Sequence, residues 1–117
     1  MEFSHIGIVT HKPKDGEIFV DATRVWITDF MKHPFRVERL RFEPDSPVTG
    51  PVREKPHVAY RVDSIESASA RMKVLLEPFQ PLIYLRVGFY ESDDNAAIEF
   101  MEYKSSPFEI DARGSGP

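Results

Sequence analysis

The 117-residue sequence contains no cysteine and no apolar run long enough to cross a bilayer. The first absence excludes disulfide bonds and thiolate ligands, so any metal site must use histidine, carboxylate or carbonyl oxygen. An excess of basic residues is also missing, because the formal net charge is −4 at pH 7. We therefore expect no nucleic-acid partner and no membrane partner. The N-terminus lacks the basic start and apolar run of a secretory signal, so a cytoplasmic location is expected.

The composition is typical of a folded domain with many irregular connections. Hydrophobic residues make up 41% of the chain, which argues against disorder, and the 10 prolines predict frequent turns and loops. The length suits one domain with an ordinary core. We expect a single domain over residues 1–104, followed by a frayed C-terminal tail over 105–117 that ends in Gly-Ser-Gly-Pro.

Two stretches of the sequence nearly repeat each other. Residues 4–9 read Ser-His-Ile-Gly-Ile-Val, and residues 56–62 read Pro-His-Val-Ala-Tyr-Arg-Val. Each has a histidine at the beginning of an alternating strand and a small residue, Gly7 or Ala59, two positions later. The repetition predicts two related modules, over about 1–50 and about 56–104. If a pseudo-twofold axis relates the modules, His5 and His57 face a shared cleft.

The first module is expected to contain a strand, a helix and a second strand. Residues 3–10 alternate as a half-buried strand does, and 11–16 form a loop. The spacing of apolar residues after Asp21 predicts a helix over 21–33, although Val20 to Trp26 can also be read as extended. A strand over 35–42 follows. Four prolines and a glycine in residues 44–56 predict a long loop.

The second module predicts the order strand, helix, strand, strand. A strand over 57–62 precedes Asp63 and Ser64, either of which can cap a helix. The helix stripe consists of Ile65, Ala68, Met72, Leu75 and Leu76 and is ended by Pro78 and Pro81. Strands over 82–90 and 96–103 enclose a turn at 92–95.

Strand alternation separates an open face from a face covered by helices. In the first strand Phe3, His5, Gly7 and Val9 fall on the open face, and Ile6 and Ile8 lie beneath a helix. In the repeat, His57, Ala59 and Arg61 are open, and Val58, Tyr60 and Val62 are covered. In the last strand Glu99 falls among Ala97, Met101 and Tyr103, where a buried carboxylate needs a partner.

Two histidines and one carboxylate from three strands are a ligand set for a divalent metal ion with open positions. His5, His57 and Glu99 are the candidate ligands. A strand-edge histidine is more often only hydrogen bonded, and Glu99 can instead pair with Arg61 or Arg86.

These same residues resemble a known superfamily. Residues 56–68, 76–79, 85–91 and 97–103 are similar to the second half of a vicinal oxygen chelate domain, and residues 3–8 to its first strand. This is the superfamily of glyoxalase I, methylmalonyl-CoA epimerase, extradiol dioxygenases and the fosfomycin and bleomycin resistance proteins. The resemblance implies an α+β fold of paired βαβββ modules that form a cupped mixed sheet around a metal, often as a homodimer. The first module would be abbreviated, with its third and fourth strands shortened or displaced.

The resemblance also implies roles for individual residues. His5, His57 and Glu99 match the three metal ligands, and the ion would be Zn, Ni, Fe, Mn or Co. Glu43 is the nearest candidate for a fourth ligand or catalytic base, with a plain turn residue as the alternative. Arg61, Arg86 and Tyr103 are candidates for substrate binding, the arginines by holding a carboxylate or phosphate; surface pairing with glutamates is the alternative for them.

The expected function is that of a divalent-metal-dependent, glyoxalase-like enzyme. It would act on a small oxygenated metabolite by proton transfer, isomerisation or lyase chemistry. Three alternatives remain open: an iron-dependent ring-cleaving dioxygenase, a metal-free small-molecule binding protein of the bleomycin-resistance type, and an accessory domain with a vestigial cleft.

Overall fold

Eight strands form one mixed sheet in the computed structural model, which describes residues 1–104. The strands are β1 (Glu2–Val9), β2 (Ile18–Val20), β3 (Val25–Ile27), β4 (Val37–Phe42), β5 (His57–Arg61), β6 (Lys73–Leu82), β7 (Leu85–Glu91) and β8 (Ala97–Tyr103). In this described part of the chain, helical structure is limited to a 3-10 turn at Phe30–Lys32 and to α1 (Pro51–Glu54) and α2 (Ile65–Ala68). The expected tail over 105–117 lies outside the described residues. Within residues 1–104, no helix has the length and apolar character needed to cross a membrane.

The strand order across the sheet is β2-β3-β4-β1-β5-β8-β7-β6. The first strand β1 pairs in parallel with β4, and β5 pairs in parallel with β8. In the middle of the sheet β1 and β5 run antiparallel. The sheet curls into a half-barrel, so β4, β1, β5 and β8 lie side by side at its centre and their inward side chains converge.

The inner face of the curled sheet carries the main apolar core. Val87, Phe89 and Met101 are buried there, together with Val48 and Val52 from the long connection before β5. The prediction of a loop over 44–56 missed α1, a single turn that begins with Pro51 after the positive φ of Gly50. Because Val52 on this turn is only 2% exposed, the connection forms one side of the core.

The helix predicted over 21–33 does not form. In its place are β3 and the 3-10 turn, so the extended alternative for this segment is the better description. Val25 and Ile27 lie on the same face of β3 because they are two residues apart, and branched and aromatic residues favour strands. The first half therefore contains four strands, and what it lacks in the described chain is a long helix. Of the third and fourth strands, which were expected to be shortened or displaced, β3 has three residues and β4 has six.

The second predicted helix is also wrong beyond its first turn. Ser64 caps α2 by accepting a hydrogen bond from the Ser67 backbone N–H, as expected, but α2 ends at Ala68. Leu75 and Leu76 belong instead to β6, which pairs along β7. Pro78 and Pro81 fit in this strand because β6 is at the edge of the sheet, where a missing N–H breaks no necessary ladder bond.

The outer face of the sheet is covered in one half only. In the second half Ile65 of α2 packs with Tyr60, Val62 and Ile98, as predicted for that face. In the first half Ile6 is 38% exposed, so the prediction that it lies beneath a helix is wrong. A bulge between Phe3 and His5 also places Phe3 opposite Tyr60, on the outer face and not on the open face with His5.

Candidate metal centre

Four buried side chains meet on the inner face of the central strands. His5 comes from β1, Glu38 from β4, His57 from β5 and Glu99 from β8, and one potential ligand atom from each lies within 4.8 Å of the others. The strand register explains why these four side chains converge. Ala59 pairs with both His5 and Glu99, which puts these three residues in one row across the sheet. Gly7 pairs with both Glu38 and His57, which makes a second row.

Each row has a small residue at its centre, and the small residue gives the larger side chains room. A Cβ atom built on Gly7 would lie 2.1 Å from Cε1 of His57, far inside van der Waals contact. The imidazole of His57 therefore lies directly over the backbone of Gly7. Ala59 is fully buried between His5 and Glu99. The expectation that Gly7 and Ala59 leave space beside the histidines agrees with these contacts.

The separations of the ligand atoms suit a metal ion. His57 Nε2 lies 3.0 Å from Glu99 Oε1, His5 Nε2 lies 3.4 Å from the same oxygen, and His5 Nε2 lies 3.6 Å from Glu38 Oε1. Two donors that each lie about 2.1 Å from one ion are about 3 to 4 Å apart. Among the described residues, His5 Nε2 and His57 Nδ1 have no hydrogen-bond partner although both are buried. A nitrogen and oxygen donor set in which the carboxylate-facing Nε2 of His5 is unsatisfied fits a divalent transition metal.

Neighbouring groups hold the two imidazole rings in place. Ser4 Oγ lies 3.0 Å from His5 Nδ1, which leaves Nε2 turned toward the carboxylates. Phe30 stacks on the His5 ring with centroids 4.1 Å apart, and Phe89 meets the His57 ring edge-on at 5.0 Å. Such supporting contacts fix ring orientation at metal sites.

The buried groups of the cluster strongly shift one another's pKa. Burial opposes charging of His5, but the facing carboxylates of Glu38 and Glu99 outweigh it and raise the pKa of His5 to about 9. Burial would raise the pKa of Glu99, but contacts with His5 and His57 lower it to about 2. Burial raises the pKa of Glu38, and the negative charge of Glu99 adds to this. Without a metal, the cluster therefore holds a His5 imidazolium beside a Glu99 carboxylate.

The cluster forms part of the wall of a cavity of about 350 Å³ inside the curled sheet. His5, Glu38 and Glu99 line this cavity, and the rest of the wall is mainly aliphatic and aromatic. A cleft of this size with a few convergent polar groups is typical of a small-molecule site. All four members of the cluster belong to one chain, so the site needs no second subunit to supply them.

The carboxylate that joins the three predicted ligands is Glu38 and not Glu43. Glu43 accepts a hydrogen bond from the indole Nε1 of Trp26 at 3.1 Å and is no part of the cluster. The sequence carried a usable signal for Glu38, since it shares strand parity with the apolar Leu40 and Phe42. The same argument selected Glu99 on the last strand.

The three predicted substrate-binding residues lie in different surroundings. Tyr103 lines the cavity. Arg61 is half exposed, lies 3.6 Å from a carboxylate oxygen of Glu2 and stacks on the Tyr103 ring. Arg86 lies on the opposite face of the sheet with Glu102, where it pairs with Glu66 at 2.8 Å and with Glu102 at 3.2 Å. Arg86 therefore does not reach the cavity, and the salt-bridge alternative describes it correctly.

Comparison with known proteins assigns no family to the chain. No protein-family model matches the sequence, and no curated protein matches it. The functional argument therefore depends on the curled sheet and the buried histidine and glutamate cluster.

Proposed function

We propose that this protein is a divalent-metal-dependent enzyme of the vicinal oxygen chelate type. His5, His57 and Glu99 would hold the ion, and Glu38 would complete the site. The observation that carries the proposal is the convergence of four buried nitrogen and carboxylate groups within 4.8 Å, three of which line a mainly apolar cavity. Burying such groups is costly unless they pair with one another or bind a metal.

The paired-module architecture is part of the same proposal. It is supported by the two parallel pairs, β1 with β4 and β5 with β8, which meet along the antiparallel pair of β1 and β5. Each half would then contribute a histidine from its first strand and a glutamate from its fourth. His5 and Glu38 are the pair from the first half, and His57 and Glu99 are the pair from the second.

The reaction we propose is proton transfer, isomerisation or elimination next to an oxygen of a small metabolite. A bound divalent ion would supply positive charge that stabilises an oxyanion as a proton leaves the neighbouring carbon. Glu38 lines the cavity and has a pKa raised by burial, so it is the residue best suited to take up and return that proton. The apolar walls exclude water around the reacting atoms.

A metal titration of the purified protein tests the proposal. We expect one equivalent of Zn²⁺, Mn²⁺, Co²⁺ or Ni²⁺ per chain by elemental analysis after reconstitution and dialysis. His57→Ala and Glu99→Ala should each lose that equivalent, because each removes a ligand and leaves buried charge behind. His11→Ala is the matched control, since His11 is exposed in a loop. Equal stoichiometry in all four proteins would refute the metal site.

Activity requires a second measurement with the metal-loaded protein. We expect exchange of the carbon-bound hydrogen of a neutral α-hydroxyketone with deuterated water, followed by nuclear magnetic resonance. Glu38→Gln should slow the exchange because the amide cannot accept the proton. Exchange no faster than in buffer with the same metal concentration would refute proton transfer for that substrate class.

A metal-free binding protein is a second candidate, favoured by one specific observation. The hydrogen-bond contact of 3.0 Å between His57 Nε2 and Glu99 Oε1 lets these two groups satisfy each other without an ion. In that case the cavity would bind a small molecule without catalysis. Full occupancy by a ligand with no bound metal would favour this candidate over the enzyme.

We also propose a homodimer, as the vicinal oxygen chelate resemblance implies. The half-barrel leaves β2 and β6 at its two edges, and the outer side of Ile6 is partly exposed. Unpaired edges and exposed apolar residues are commonly covered by a second subunit. Sedimentation at micromolar concentration should give twice the chain mass of 13.5 kDa, and a monomer there would contradict the proposal.

A further inference from the structure

We infer that the cavity selects a neutral, apolar ligand and rejects anionic metabolites. The inference rests on the metal centre proposed above, for which the vicinal oxygen chelate resemblance already implies two adjacent ligand oxygens, and it adds the charge class of the substrate. It differs from the expectation that arginines hold a carboxylate or phosphate of the substrate.

The charged groups of the cavity wall are few. His5, Glu38 and Glu99 are together in the cluster on the central strands, and Asp29 also lines the wall. One carboxylate oxygen of Asp29 accepts a hydrogen bond from the backbone N–H of Met31. Most of the remaining lining is aliphatic or aromatic, with Leu85 and Val87 as buried examples. A ligand therefore meets charged groups mainly at the cluster and apolar surface over most of its body.

No lysine or arginine lines the cavity in the described part of the chain. Four arginines approach it, and each stacks on a lining aromatic ring without reaching the cavity itself. The guanidinium carbons lie 5.3 Å from the centroid of Phe19 for Arg24, 5.2 Å from that of Phe30 for Arg36, 5.8 Å from that of Phe42 for Arg53 and 4.7 Å from that of Tyr103 for Arg61.

The donors of these arginines are directed at protein oxygens. Arg36 donates to the backbone carbonyl of Ser4, and Arg53 donates to the carbonyls of Ser46 and Val48. Arg24 donates to the Asp45 carboxylate, and Arg61 faces the Glu2 carboxylate. An anionic group on the ligand body would therefore be buried without a counter-charge, which is strongly unfavourable.

The charge of the cluster leads to the same conclusion. Two carboxylates, Glu38 and Glu99, balance the two positive charges of a divalent ion. The loaded centre thus has little net charge to attract a further anion, and it favours a ligand that offers neutral oxygen lone pairs.

The volume limits the size of the ligand. At about 30 Å³ for each water-sized unit, a cavity of about 350 Å³ holds roughly a dozen non-hydrogen atoms. A nucleotide or a coenzyme conjugate exceeds that size and is also anionic. A single substituted ring or a branched chain of comparable size fits.

Four probes test the inference by calorimetry on the intact protein. Two carry adjacent oxygens, neutral 2-hydroxy-1-phenylethanone and anionic 4-(2-hydroxyacetyl)benzoate. The other two lack the hydroxyl, neutral acetophenone and anionic 4-acetylbenzoate. With zinc loaded, we expect the first probe to bind at least tenfold more tightly than each of the other three. Equal or tighter binding of the anionic hydroxyketone would overturn the inference, and so would a failure of the first probe to bind.

A charge introduced at the cavity wall gives a matched pair of variants. Leu82 lines the cavity and is 52% exposed, and its neighbour Ile83 is 84% exposed and does not line it. Leu82→Arg should tighten binding of 4-(2-hydroxyacetyl)benzoate about tenfold by supplying the missing counter-charge. Ile83→Arg should leave that affinity unchanged. An equal effect of both substitutions would mean that general surface charge, and not the cavity, controls the selectivity.

Failure of the metal centre and failure of the substrate class give different results. If the protein binds no metal, the proposed enzyme is refuted, while the two probes that lack the hydroxyl still report on the cavity. Acetophenone should bind the metal-free protein at least tenfold more tightly than 4-acetylbenzoate. Equal affinities of these two probes would overturn the substrate class whatever the metal result.

Discussion

Replacing Gly7 by alanine should disable the metal centre through a single methyl group. The new Cβ would lie 2.1 Å from Cε1 of His57, whereas ordinary contact begins at 3.4 Å, so the ring must retreat by about 1.3 Å. His57 is buried against Phe89, and its Nε2 would leave its position 3.0 Å from Glu99. Metal sites tolerate displacements of about 0.2 Å.

We expect the affinity for Zn²⁺ to fall by about 10- to 100-fold, the loss typical when support for a metal-binding histidine is removed. Calorimetric titration in competition with a chelator measures it. Gly88→Ala is the matched control, because its Cβ would meet the hydroxyl of Tyr90 at 2.7 Å, away from the cluster. That variant should lose stability and keep its affinity. In a His57→Ala background, Gly7→Ala should have little further effect, since the clashing ring is gone. An unchanged affinity in folded Gly7→Ala, or full additivity with His57→Ala, would refute the reasoning.

Three further outcomes follow from the cluster and the core. Glu38→Gln should weaken zinc binding at least tenfold, whereas Glu43→Gln should not change it; equal titration curves would remove Glu38 from the site. Ile65→Ala deletes a fully buried side chain on the outer face and should cost about 2–5 kcal/mol in urea unfolding without changing the zinc affinity of the folded protein. In the metal-free protein, His5 should stabilise the fold fully below its ordinary pKa of 6.5 and lose this effect as pH rises through about 9. Glu99 should stabilise it above its ordinary 4.5 and lose this effect as pH falls toward about 2. Urea unfolding from pH 2 to 10 checks the profile, and a rise in stability from pH 7 to 9 would contradict it.

The strands that hold the cluster could be predicted from alternation alone. The predicted strands over 57–62 and 96–103 differ from β5 and β8 by one residue at an end. Alternation is reliable there because one face is buried and the period of two is strict. The alternation is interrupted at Ser4 by a bulge that the sequence does not reveal, and this bulge places Phe3 on the opposite face of the sheet.

The helices could not be predicted from spacing. Leu75 and Leu76 continue the helical stripe that begins at Ile65, yet they pair with β7, because long-range strand pairing outweighs weak local propensity. Arg86 was misplaced for a related reason. Its type suggested a substrate anchor, but strand parity places it opposite Glu102 on the outer face. Glu38 was not predicted as the fourth ligand because Glu43, just after the end of the strand, was chosen in its place.

The strand β8 is made last in the described chain, yet it lies inside the sheet between β5 and β7. Until residues 97–103 have left the ribosome, both of those neighbours present open hydrogen-bonding edges. Such edges recruit strands from other chains. A truncated product that ends before Ala97 should therefore aggregate, which makes completion of synthesis a condition for solubility.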